Sequence, residues 1–192
     1  MSRELSLYEQ DLLRNKISKG VGQGEHRSQI SRRNNAAGKY LEGCMDAACK
    51  YYQEQGKAYI EKIPEPFRVL KKYHDGTFTG RFIGHALPDY MGVVYDSTTA
   101  VCFEAKHTDT DRIHYNALTA KQKDVLEKYY TAGAKCGVCV SFWDIFATIP
   151  WEVWRDMQKL YGRKYITREE AAEFEVKFEN GCCLFMDWVR RE

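Results

Sequence analysis

The stretch 87–106 constrains the fold more than any other part of the chain. It has two apolar halves rich in β-formers, 87–95 and 100–106, joined by the polar run Asp96-Ser97-Thr98-Thr99. That pattern predicts a β-hairpin. Strand side chains alternate between faces, so Glu104 and Lys106 share one face and Ala105 takes the other. Folding back at the turn brings the start of the first strand beside the end of the second, which sets Asp89 near Glu104 and Lys106. Two carboxylates and an ammonium then converge at one end of the hairpin.

Such a cluster suits metal-assisted hydrolysis. Mg²⁺ takes hard oxygen ligands and usually keeps several waters. Two carboxylates on adjacent strands can hold it while leaving positions for a water and a phosphate oxygen. The metal stabilises charge on the phosphate and acidifies the water. The lysine can orient that water or offset charge on the pentavalent centre. On spacing alone, an exposed hairpin with ordinary surface charges explains the same letters as well.

The surrounding residues carry a more specific signal. Pro88-Asp89 followed by Glu104-Ala105-Lys106 resembles the PD-(D/E)xK nuclease signature. Asp89-Tyr90-x-Gly92 and Phe103-Glu104-Ala105-Lys106-x-Thr108 resemble one branch of it, the RecU-type Holliday-junction resolvases. The resemblance covers about residues 36–189 and is pattern-level outside these two motifs. It implies an α/β fold with a restriction-endonuclease-like core, a mixed central β-sheet flanked by helices. It implies a Mg²⁺-dependent endonuclease, with Mn²⁺ as the alternative ion, that resolves four-way DNA junctions by symmetric nicks. Branched DNA is then the substrate, a homodimer the working form, and a recombinase a further candidate partner.

Site roles follow from the same resemblance. Asp89 and Glu104 would bind metal and Lys106 would assist the water. Gln122, in the first turn of a helix after the Glu-x-Lys strand, would complete the metal site. Glu42, after Gly38-Lys39-Tyr40-Leu41, would face it from an earlier helix. A helix glutamate also simply suits a helix N-terminus, and Gln122 has a plain surface reading. Family members carry an insertion that enters the junction centre. The matching segment here is basic and short, with Arg81 as the candidate contact and Lys71 and Lys72 as lesser ones. One departure stands before Asp89: His85-Ala86-Leu87-Pro88 replaces an expected run of Ser and Thr.

Composition sets the remaining bounds. The 192 residues suit one domain with an arm, and 44% hydrophobic content is enough for a core. A net charge of +2 excludes a uniformly basic protein. Seven cysteines with no apolar leader lead us to expect reduced thiols and a cytoplasmic protein, in a bacterial cell or a phage-infected host. No membrane association is expected. Residues 1–35 read as a flexible basic arm, with Arg14, Lys16, Lys19, Arg32 and Arg33 as phosphate contacts. Residues 36–192 form the nuclease domain.

Periodicity orders that domain. Leu41, Cys44, Met45, Ala48, Cys49 and Tyr52 make one helical stripe over 36–55. Strands are expected at 58–63, 67–70, 135–142 and 146–150, and helices at 119–130 and 151–160. Residues 107–116 read as a polar loop, Thr167-x-x-Glu170 as a capping box, and 174–178 and 183–188 as extended segments. Cys136 and Cys139 form a C-x-x-C, but on a strand they point to opposite faces, so buried thiols outweigh zinc. Three other readings remain open: a nuclease of the same fold aimed at duplex ends or a restriction site, a non-catalytic DNA-binding or recombinase-modulating protein, and a zinc-stabilised module.

Overall fold

The computed structural model describes residues 23–84, 87–142 and 145–190. Arg14, Lys16, Lys19, His85 and Trp143 lie outside them. Two units are distinguished, residues 1–36 and 37–192. Helix α1 (Gln23–Glu54) begins well before the expected start at Ala36. The added turns are polar and carry no apolar stripe, so a search for periodicity has nothing to register there. From Leu41 onward the expected stripe is the buried face, and all six of its residues are buried.

Five strands form the central sheet. They are β1 (Ala58–Lys62), β4 (Tyr90–Val94), β5 (Ala100–His107), β7 (Lys135–Ser141) and β8 (Phe146–Pro150). The spatial order is β1-β4-β5-β7-β8. Only β5 and β7 run parallel, so the sheet is mixed, as expected. The parallel step needs a crossover, and α2 (Ala120–Thr131) supplies it. Gly92 is required where β1 crosses β4, because a Cβ there would collide with the Tyr59 carbonyl oxygen and the Ile60 backbone. This gives the Asp-Tyr-x-Gly motif a packing reason.

Each face of the sheet has its own core. On one face α1 packs against Val101, Phe103 and Cys139, together with the buried run Cys183-Leu184-Phe185-Met186. On the other, Leu126 of α2 and the helices α3 (Trp151–Arg155) and α4 (Met157–Tyr161) cover Cys102, Cys136, Val138, Val140, Ala147 and Ile149. Cys136 and Cys139 therefore face opposite cores, as strand alternation requires. Trp151 and Trp154 are buried core residues.

Several local expectations need correction. The helix expected over 151–160 is two short ones, broken at Asp156 with φ −95° and ψ 16°. The polar loop at 107–116 contains β6 (Arg112–His114), paired antiparallel with β9 (Tyr165–Thr167). A three-residue strand whose partner lies far along the chain leaves no local pattern. Thr167 does cap α5 (Arg168–Ala171) through the expected box. The C-terminal extended segments shrink to a two-residue ladder, Phe178–Glu179 against Cys182–Cys183, around the Asn180-Gly181 turn. A 3₁₀ turn follows at Asp187–Arg190.

A third separate pair, besides β6–β9 and the 178–183 ladder, is an exposed ribbon. β2 (Phe67–Lys72) and β3 (Phe78–Phe82) pair only with each other, and every residue of β2 is exposed. Among the described residues, no helix is long and apolar enough to cross a membrane.

Candidate active site

The expected hairpin is β4–β5, and its register sets the site. Tyr90 opposes Phe103, so the preceding Asp89 comes level with Glu104. The Asp89 carboxylate is tied to the sheet, because Oδ2 accepts from the Ala105 amide at 2.9 Å. Glu104 points to the α2 side, and only 1% of it is exposed. Lys106, two residues on, shares that face and reaches Glu104 Oε2 at 3.4 Å.

Gln122 joins this cluster through its helix cap. Thr119 caps α2, accepting from the Gln122 amide, while the Gln122 side-chain oxygen accepts from the Thr119 amide at 3.0 Å. Occupying that oxygen turns the NH₂ group outward, and Nε2 donates to Glu104 Oε2 at 2.6 Å. The amide oxygen, the atom that would ligate a cation, therefore serves the cap. The Thr119-x-x-Gln122 spacing is a capping box legible in the sequence, but its effect on Glu104 needs the fold.

Glu104 is held in an adverse place for a carboxylate. Burial raises its pKa to about 8, the charge of Asp89 and a hydrogen bond with it push the same way, and Lys106 offsets them only in part. A buried carboxyl beside a second one lacks positive charge. The oxygen donors Asp89 and Glu104 thus suit a hard divalent cation. Among the described residues no group of three or more His, Cys, Asp or Glu gathers as a metal site. Water, backbone or phosphate oxygens would have to fill the remaining positions at Asp89 and Glu104.

The other candidates sit elsewhere. The Glu42 carboxylate is paired with Lys62 Nζ at 2.7 Å, so the helix glutamate is engaged by β1. Sequence reasoning misses Lys62, since one lysine at a strand end carries no signal. Lys71, Lys72 and Arg81 lie on the exposed β2–β3 ribbon. Arg32 and Arg33 belong to the first unit, on the early turns of α1.

The ribbon adds residues that sequence reasoning also misses. Phe67 opposes Phe82 and Arg68 opposes Arg81. Strand alternation then separates a face with Phe67, Phe78 and Phe82 from one with Arg68 and Arg81. The ring of Phe67 lies 5.5 Å from that of Phe78 and 5.2 Å from that of Phe82. Like charges directly opposite are unfavourable in a ladder, so the arginine pair is poised for an anion. The signal is present as Phe-x-Gly-x-Phe in 78–82, a period-two alternation that Gly80, with Gly76 just before it, disguises as a turn region.

The ribbon and the site share one anchor. Lys121, beside Gln122 on α2, donates to the carbonyl of Gly84 just beyond β3, at 3.1 Å. Past Lys106 the surface continues as a groove of about 340 Å³ lined by His107, Thr108, Arg112, His114 and Asn116, among others.

No curated protein matches the chain by sequence. Among solved structures, the chain is similar to Hjc of Archaeoglobus fulgidus, described as a Holliday junction resolvase from an archaeal hyperthermophile. The TM-score is 0.39 and the identity 12%, over 67% of this chain and 86% of that one. So loose a likeness carries no argument. The family model described as "RecU: Recombination protein U" matches residues 36–190, a span that includes every residue of the Asp89 cluster, and the chain belongs to the RecU family.

Proposed function

We propose that this protein is a divalent-metal-dependent endonuclease that resolves four-way DNA junctions by paired, symmetric nicks. The observation that carries the reading is the convergence of Asp89, Glu104, Lys106 and Gln122, with Glu104 buried against a second carboxyl. Glu104 and Asp89 would hold Mg²⁺ or Mn²⁺, which would supply charge stabilisation at the phosphate and an acidified water. Gln122 orients Glu104, and the cap at Thr119 fixes Gln122. Lys106 stands where an ammonium can hold the attacking water or meet charge developing on the phosphate. The Ala105 amide keeps Asp89 aimed at the same point.

The ribbon supports branched DNA as the target. Unpaired or unstacked bases occur at a branch point, and exposed aromatic rings stack on them without sequence preference. Arg68 and Arg81 on the opposite face, with Lys71 beside them, suit the converging phosphates, and Lys72, opposite Phe78, adds charge to the aromatic face. Two cuts on opposed strands call for two sites related by a two-fold axis, hence a homodimer. Arg32, Arg33 and the rest of the N-terminal arm add phosphate contacts. Removing residues 1–33 should flatten the salt dependence of junction binding, and an unchanged slope would remove the arm from the account.

The decisive experiment is cleavage of a labelled mobile four-way junction against matched duplex, in Mg²⁺ and in EDTA, with wild type and Asp89→Asn. Paired symmetric nicks on the junction alone, lost in EDTA and in the variant, are the expected result. Equal cutting of duplex would discard junction selectivity. Binding without cleavage in any metal would leave a non-catalytic junction-binding protein.

A further inference from the structure

The segment between Lys106 and Gln122 is pinned at both ends to one atom. Lys106 Nζ lies 3.4 Å from Glu104 Oε2, and Gln122 Nε2 lies 2.6 Å from the same oxygen. The chain that links them therefore leaves the site and returns to it. Its middle is fixed as well. β6 pairs with β9, the Arg168 amide donates to the Asp111 carbonyl at 2.7 Å, and the Tyr115 amide donates to the Lys164 carbonyl at 2.9 Å. The Thr108 and Thr110 hydroxyls both donate to the Arg112 carbonyl, at 3.0 and 2.8 Å. At the inner edge His107 and Ser141 end the parallel strands β5 and β7, with Nδ1 and Oγ 2.7 Å apart. The groove that this segment lines is thus preformed. It opens beside the site at the carboxyl ends of two parallel strands, where α/β sheets place ligands.

We propose that this groove is a subsite for the phosphodiester next to the scissile one on the cut strand, held by His114 and Asn116. The inference rests on the junction-nuclease reading above. Both side chains are exposed and line the groove, and among the described residues neither has a hydrogen-bond partner. The His114 ring is set against that of Tyr165, with centres 5.5 Å apart. The charges nearby favour an anion. Neither acid of the segment, Asp109 nor Asp111, lines the groove, and Arg112 holds Asp111 through two bonds of 2.9 and 3.0 Å. Lys123 of α2 stands 4.0 Å from the centre of the Tyr115 ring, so a further cation backs the same segment. A strand carries a phosphate about every 3.4 Å of helix axis. When one phosphate reaches Glu104 and Lys106, its neighbours are therefore within reach of a groove that starts at His107. Holding a second phosphate fixes the register and direction of the strand across the site, which is what phosphate contacts do in nucleic-acid recognition.

The test removes one charge at a time from the DNA. Four-way junctions carry a single uncharged methylphosphonate, stepped along the cut strand and then along the opposing strand. Each is titrated in Ca²⁺ with the full-length chain, and cut in Mg²⁺. In wild type, one position next to the scissile phosphate on the cut strand should weaken affinity by about tenfold, the scale of one charge-assisted hydrogen bond. Asn116→Ala and His114→Ala should each shrink that penalty, and the double variant should abolish it, with the penalties at other positions unchanged. Two independent exposed side chains keep the test usable if one variant fails to fold. An equal penalty in wild type and the variants, no penalty at any neighbouring phosphate, or a variant-sensitive penalty on the opposing strand would each overturn the proposal. Residues that only brace the segment would lower the melting temperature and weaken every junction alike, which also overturns it. Binding without cleavage would instead overturn the nuclease reading, with the subsite still decided by affinity.

Discussion

The β4–β5 hairpin and the β2–β3 ribbon are both antiparallel two-strand ladders, yet they put their informative residues in opposite environments. In the first, Glu104 is 1% exposed and is met by Asp89, Lys106 and Gln122. In the second, Phe82 is 66% exposed and Phe78 55%, in a two-stranded sheet separate from the central one. Burial makes an ionisable group costly and therefore responsive to a cation. Exposure makes an apolar group costly and therefore responsive to a stacking partner. Under the proposed function, the hairpin would carry the chemistry and the ribbon the recognition.

The sharpest way to break that division is Asp89→Asn. Cleavage of a junction should fall by at least about 10³-fold, the scale of losing a principal charge-stabilising group, while junction affinity in Ca²⁺ stays as in wild type. Loss of binding in parallel would merge the two functions in the hairpin.

Glu104 gives a second test through pH. Its carboxyl keeps its proton to about pH 8 in the folded chain and loses it near the ordinary value of 4.5 when unfolded. Between those limits the folded state binds more protons, so metal-free stability should fall as pH rises from about 4.5 to 8 and level off above. Glu104→Gln removes the carboxyl, and in EDTA at pH 8 it should be more stable than wild type by up to a few kcal/mol, since each pH unit between the folded and unfolded values is worth about 1.4 kcal/mol. The gap should close near pH 4.5, as followed by thermal melts. Metal binding must displace the same proton, so Mn²⁺ affinity should climb about tenfold per pH unit below 8.

On the ribbon, Phe78→Ala with Phe82→Ala should weaken junction binding by about 1–3 kcal/mol per base unstacked from a ring. Duplex binding should hardly change, and neither should the cleavage rate of junction once bound. Equal losses on junction and duplex would make the aromatic face a packing surface for something other than a branch point.

These two regions are legible in the sequence to different depths. The hairpin can be read in full because both strands, their turn and their charges lie within one short window, and Asp89, Glu104 and Lys106 meet as alternation requires. Gln122 arrives from another element, and only the family resemblance points to it. Its role depends on a cap that rotates the amide, which residue letters do not encode. The same resemblance assigns Glu42 to the site, whereas the structure gives its carboxylate to Lys62. That lysine is placed by being opposite Tyr90 in a ladder between strands far apart in the chain. On the ribbon the basic residues are visible in the sequence, but the segregation of Arg68 and Arg81 from the phenylalanines is not, because the Gly-rich composition of 75–80 reads as turn. The β6–β9 pair stays hidden for a plainer reason, since three residues hold too little period to separate strand from loop.

The smallest expected effect divides charge from stacking within the ribbon itself. Arg81 faces Arg68 across the ladder, with no carboxylate partner for either among the described residues. A phosphate between them would relieve a like-charge contact that the free protein must tolerate. Arg81→Ala should then weaken junction binding only modestly at low salt and reduce the slope of log affinity against log salt by about one. Arg81→Lys keeps the charge and should keep the slope, even though it loses the guanidinium fork. If Arg81→Ala left the slope unchanged but lowered the melting temperature, the arginine would be a strut of the ribbon, and recognition would rest on the phenylalanine face alone.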